Sequence, residues 1–78
     1  MIFKKMKSRK YYETWVSNRV NRYRVFIQKI PYCNFYHFYI EFNYNIIYQS
    51  LLDNNIFETF DKCKVIAEQW VKDKMKED

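Results

Sequence analysis

None of the 78 residues is glycine, and that absence restricts the chain more than any motif it carries. Glycine lacks a Cβ and is the ordinary occupant of positive-φ positions, tight strand turns and loops that approach a phosphate closely. Glycine-rich phosphate loops and dinucleotide-binding fingerprints are therefore excluded. Every reversal of the chain must be made by residues that tolerate the left-handed region, asparagine foremost. Asn18, Asn34, Asn43, Asn45, Asn54 and Asn55 fall between the apolar runs, where such turns are needed.

Between those turns the apolar residues recur at every second position, the period of a half-buried strand. From Arg22 to Ile30, Tyr23, Val25 and Ile27 share one face, and Arg24, Phe26 and Gln28 the other. Pro31-Tyr32-Cys33-Asn34 reads as a turn in which Pro31 presets φ and Asn34 takes the unusual one. Phe35 to Phe42 is the aromatic central strand, with Tyr36, Phe38, Ile40 and Phe42 opposite Phe35, His37, Tyr39 and Glu41. After Asn43-Tyr44-Asn45, the run from Ile46 to Leu52 reads as a third strand. Thr59 or Asp61 then caps a helix from about Phe60 to Met75, where Phe60, Cys63, Ile66, Ala67, Trp70 and Val71 recur at helical spacing.

The expected fold class is thus α+β: a small three-stranded antiparallel sheet packed by a C-terminal helix (β-β-β-α), preceded by a short N-terminal helix or an extra strand. Ser8 can cap a helix presenting Tyr12, Trp15, Val16 and Val20, whereas Tyr12, Thr14 and Val16 also alternate like a strand. The helix is the preferred reading and the strand stays open. Residues 1–78 form one domain, because a chain this short buries only about 60% of its unfolded surface and cannot close two cores. Residues 1–10 read as a basic terminus free to move. Aromatic residues make up 22% of the chain, and large rings close a small core efficiently.

Two cysteines are too few for a disulfide framework; Cys33 in a turn and Cys63 on a helix read as free thiols. Lys4, Lys5 and Lys7 follow Met1-Ile2-Phe3 without the apolar stretch of a secretion signal, and no run approaches the roughly 20 apolar residues that span a bilayer. The expectation is a soluble protein of the cytoplasm. Ile, Lys, Asn, Tyr and Phe supply about half the residues, as AT-rich codons would, and a short reading frame of this kind suggests a bacteriophage or other mobile element acting in a host cell.

Charge supplies the functional expectation. Lys4, Lys5, Lys7, Arg9, Lys10, Arg19, Arg22, Arg24 and Lys29 face a single acid, Glu13, so this third carries +8 and the remainder −3 of the net +5. Such asymmetry resembles an electrostatic footprint for nucleic acid, although a solubilising, partly frayed basic terminus is the preferred reading of the charge alone. The sheet face bearing Phe35, His37, Tyr39, Phe26 and Arg24 offers a stacking platform for single-stranded bases or a hot spot for a protein partner, unless the N-terminal segment packs over it. The expected nucleic-acid-binding residues are Lys4, Lys5, Lys7, Arg9, Lys10, Arg19, Arg22, Arg24, Phe26, Phe35 and Tyr39. The function so read is a small non-enzymatic binding module for nucleic acid. The alternative is a protein-binding inhibitor, such as a small phage anti-defence or host-takeover protein. The partners considered are nucleic acid, a host or defence protein and a second copy of the chain, with no membrane and no cofactor. His37 is the only histidine, and Cys33 four residues earlier makes at most half a metal site. No nucleophile, base or paired-carboxylate arrangement stands out, so no catalytic residue is assigned.

Tyr23-Arg24-Val25, the phrase Phe57-Glu58-Thr59-Phe60, and Ala67 with Trp70 carry a pattern-level resemblance to the three-stranded-sheet-plus-helix modules of phage integrase N-termini and AP2-like DNA-binding domains. That likeness covers about two-thirds of the chain and implies a sheet laid in the DNA major groove. The glycine such modules carry in a strand turn is missing here. With an N-terminal helix, the order α-β-β-β-α also resembles a double-stranded RNA-binding domain, with Lys62 and Lys64 near the start of its last helix.

Overall fold

The computed structural model describes residues 1–6 and 13–77. Strands β1 (Phe3–Lys5), β2 (Thr14–Ser17), β3 (Tyr23–Lys29), β4 (Tyr36–Phe42) and β5 (Asn45–Gln49) are followed by a short 3-10 helix (Ser50–Asp53) and by α1 (Phe60–Glu77). The strands form one antiparallel meander in the order β1-β2-β3-β4-β5, so the sheet has five strands and not the three expected. No N-terminal helix is present among the described residues. Both likenesses that rested on a three-stranded sheet lose their basis.

The extra strands have a physical origin. A three-stranded sheet would leave β3 as an edge with its backbone groups unpaired. Thr14-Trp15-Val16, β-branched and aromatic, fits a pleated surface better than a helix, and pairs Trp15 with Ile27 and Val16 with Phe26. β1 then pairs Phe3 with Ser17 and Lys5 with Trp15. The widened sheet also matches α1, whose Phe60 packs on Phe3 and Trp15 while Trp70 stacks on Tyr48 of β5 at 5.1 Å.

The core lies between α1 and one sheet face. Tyr23, Val25 and Ile27 of β3 and Phe38 and Ile40 of β4 meet Cys63, Ala67 and Val71, the strand alternation expected. On α1, Val71 is buried and Ile66, expected on the same face, is instead exposed. Ile66 sits about 60° round the helix from Cys63 and on the side away from Val71, since successive residues advance by roughly 100°. Thr59 caps the helix, its Oγ1 accepting the Lys62 N–H at 3.1 Å. The third strand is shorter than expected because Ser50 leaves the ladder: its buried hydroxyl accepts the Phe38 N–H at 2.9 Å, and Ser50–Asp53 coil into the 3-10 turn. Ser17 acts similarly, accepting the Val25 N–H at 2.8 Å.

Glycine's absence is met only in part by asparagine. The positive-φ residues among those described are Asn21, Arg22, Tyr32, Asn43, Tyr44 and Asn54. Asn21 (φ 49°) and Arg22 (φ 72°) form a two-residue turn closed by mutual backbone hydrogen bonds of Val20 and Tyr23, and Asn43 (φ 51°) and Tyr44 (φ 69°) form its counterpart between β4 and β5. Two positive φ values in succession define a type I′ turn, whose second place glycine ordinarily fills. In the β3–β4 loop Tyr32, rather than Asn34, takes positive φ. Pro31 precedes it and Cys33 N–H bonds Ile30 O at 3.2 Å, the arrangement of a type II turn.

Candidate functional site

With α1 on one side, alternation sends every second strand residue to the opposite face. The register aligns Lys4, Val16, Phe26, Tyr39 and Gln49 in one row across all five strands, with Thr14, Gln28 and His37 in a second and Arg24 with Glu41 in a third. Among the described residues no element lies over this outer face, because the N-terminal segment extends the sheet at its edge.

Phe26 and Tyr39 are directly opposite each other on β3 and β4, their rings stacked at 4.6 Å and within 9° of parallel. Arg24 lies over Phe26, its guanidinium 5.3 Å from the ring. Its Nε is shut off from solvent and has no hydrogen-bond partner among the described residues. Burial pushes the Tyr39 hydroxyl above its ordinary range, with Glu41 adding to the effect and Arg24 opposing it, so Tyr39 presents a neutral O–H donor. Burial also lowers the pKa of His37, so at neutral pH the face draws its positive charge from Lys4 and Arg24, Glu41 being ion-paired with Arg19. Phe35 precedes β4 and is partly exposed at the end of the same face.

The basic residues do not gather into one stripe. Lys5 points to the α1 side, pairs with Glu13 at 3.1 Å and lies over Trp15. Arg19 pairs with Glu41 at 2.9 Å and covers the Tyr44 ring at 4.0 Å. Arg22 occupies the β2–β3 turn and Lys29 the far end of β3. Lys4 and Arg24 are the expected cations that share the outer face. Lys7, Arg9 and Lys10 lie outside the described residues.

Sequence reasoning missed the Arg19–Glu41–Tyr44 cluster, because those residues meet only through strand register and adjacent turns. It also missed Ser17 and Ser50, which nothing in their neighbourhood distinguishes from surface serines. Among the described residues no group of three or more His, Cys, Asp or Glu side chains can hold a metal ion, and no helix is long and apolar enough to cross a membrane. Cys33 is exposed and Cys63 buried, both as free thiols. Comparison with protein-family models, curated proteins and solved structures finds no match to this chain.

Proposed function

We propose that the protein is a non-enzymatic module whose outer sheet face binds single-stranded nucleic acid. The observation that carries this reading is the parallel Phe26–Tyr39 pair on a sheet face that no described element covers, with Arg24 over one ring and Lys4 in the same row. Each base has a π-face, so the face of Tyr39 turned away from Phe26 offers a stacking surface to bases of any sequence, and neighbouring cations meet the backbone. A flat β-surface suits splayed single strands rather than a duplex, whose bases are already stacked on one another.

Fluorescence titration of labelled single- and double-stranded oligonucleotides at several salt concentrations tests this reading. Tyr39→Ala costs about 1–3 kcal/mol of single-strand affinity and leaves the salt slope unchanged. Arg24→Ala makes the slope shallower by about 0.7, one phosphate's worth for a single strand. Tyr39 lies outside the core cluster, so the variant keeps its fold. Wild-type binding weaker than about 100 μM at about 50 mM salt would refute the reading, since non-specific electrostatic contact alone reaches that range.

A further inference from the structure

Helix α1 carries two opposed stripes. Cys63, Ala67 and Val71 face the sheet; Val65 and Gln69 lie opposite them and Lys62, Asp73 and Ile66 on the adjoining flank, all exposed, Val65 at 63% and Ile66 at 47%. Val65 and Ile66, with Phe57, line an open groove of about 480 Å³ whose rim is Asp61 and Lys62. Scattered exposed aliphatics need no explanation, but the charges around these two are ordered. Asp61-Lys62 precedes them, and Lys72-Asp73 follows eleven residues later with the signs reversed. Eleven residues are about three turns, so both doublets lie on the same side of the helix as the apolar pair.

We propose that this stripe is the contact between two copies of the chain, α1 packed antiparallel on α1 about a two-fold axis passing beside residue 67. In that arrangement Lys62 meets Asp73 of the second copy and Asp61 meets Lys72 of the second copy, and symmetry makes each pair twice. Val65 lies two residues from the axis, about 3 Å along the helix, and meets its own counterpart there, while Ile66 closes the contact on the flank about 100° round. Antiparallel helix dipoles favour the same orientation. A foreign helix would have no need of a charge pattern that, along each flank of the helix, sets an acid at one end and a base at the other (Asp61 with Lys72, Lys62 with Asp73); a second copy does. The present partners of these side chains are exposed and exchangeable: Lys62 with Glu58 at 3.5 Å and Gln69 with Asp73 at 2.8 Å. Exposed ion pairs fix register more than they add affinity. The apolar area is small beside the roughly 800 Å² per partner of a standard interface, so the dimer is weak, with a dissociation constant on the order of 10–100 μM. The contact lies on the far side of α1 from the sheet and leaves both outer faces open, so it stands or falls independently of nucleic-acid binding.

Sedimentation velocity on the full chain from about 1 to about 500 μM should show a reversible monomer–dimer equilibrium. Ile66→Asp should remove the dimer. Lys62→Asp, which sets like charges opposite each other twice, should weaken it at least about tenfold, and Lys62→Asp combined with Asp73→Lys should restore it to within about threefold. Acid in the first turn and base near the last suit the helix dipole, so neither charge variant should melt below the wild type, and circular dichroism checks this. A protein monomeric throughout overturns the proposal. So does a dimer indifferent to Ile66→Asp, or a double reversal as weak as the single one.

Discussion

Arg22→Gly should stabilise the protein, although glycine in place of a larger residue usually does the opposite. Arg22 sits at φ 72° in the second central place of the β2–β3 turn, where a Cβ crowds the following carbonyl at a cost of roughly 1–2 kcal/mol. Introducing glycine loosens the unfolded chain, which costs roughly 0.4–1 kcal/mol. The difference favours glycine by about 0.5–1 kcal/mol. Among the described residues nothing offsets it, because the contact Arg22 makes with the neighbouring turn is through its backbone carbonyl, which accepts the Asn43 N–H at 3.1 Å and survives the substitution. Tyr44, at φ 69°, is the control. Its ring lies under the Arg19 guanidinium at 4.0 Å, worth about 0.5–1 kcal/mol at an exposed site, so Tyr44→Gly should come out near neutral. In a domain of this size 1 kcal/mol moves the melting temperature by about 4–8 °C. Calorimetry or circular dichroism should therefore find Arg22→Gly a few degrees above wild type and Tyr44→Gly within a degree or two of it, by the same scaling. An Arg22→Gly melting point at or below wild type, or a Tyr44→Gly gain as large, would refute the reasoning.

Ser17→Ala and Ser50→Ala should each lower stability by about 1–3 kcal/mol in urea titrations, because the buried N–H of Val25 or Phe38 loses its acceptor; a loss under about 0.5 kcal/mol would mean that the strand closes over the gap or admits water. The Cys63 thiol is pushed up from 9.0 to about 12 by burial, so as the pH rises above 9 the unfolded chain releases a proton that the folded chain keeps. Stability falls there by up to about 1.4 kcal/mol per pH unit, and Cys63→Ala should remove that component while leaving the part due to Tyr39 and Tyr48, whose hydroxyls burial shifts in the same direction. Thiol titration of the folded protein at pH 8 should accordingly consume Cys33 and spare Cys63; equal reactivity of the two would contradict the burial.

The core was legible wherever one residue's neighbours along the chain determine its face. Tyr23, Val25 and Ile27 and then Phe38 and Ile40 alternate over seven-residue strands, long enough for period two to be unambiguous. β2 is four residues and β1 three, shorter than the window in which a helical stripe and a strand alternation can be told apart. Val16 satisfies both patterns, and what decides between them is the open edge of β3, a partner that no local window contains. Ser50 illustrates the same limit at the other edge. Leu51 and Leu52 continue the apolar run, yet a serine hydroxyl replaces the next ladder bond and turns the chain out of the sheet.

Counting charges was a poorer guide to the candidate site than reading alternation. Arg19 and Lys5 belong to the same +8 segment as Arg24 and Lys4, but cross-strand register gives the first two carboxylates of their own, Glu41 and Glu13. An ion-paired cation must break that pair to meet a phosphate, so it contributes less to binding than its formal charge implies. The residues that define the outer face were found by a different argument: Phe26 and Tyr39 alternate away from Val25 and Ile40, and antiparallel register then places them opposite each other. Chain position alone puts Lys4 among the residues of a basic terminus, whereas pairing with Val16 and, through it, with Phe26 places it on the aromatic row. A cation's value to a binding surface here is set by which strand register it enters and which acid it finds there, so of two lysines adjacent in sequence, Lys4 reaches the proposed interface and Lys5 supports the fold beneath it.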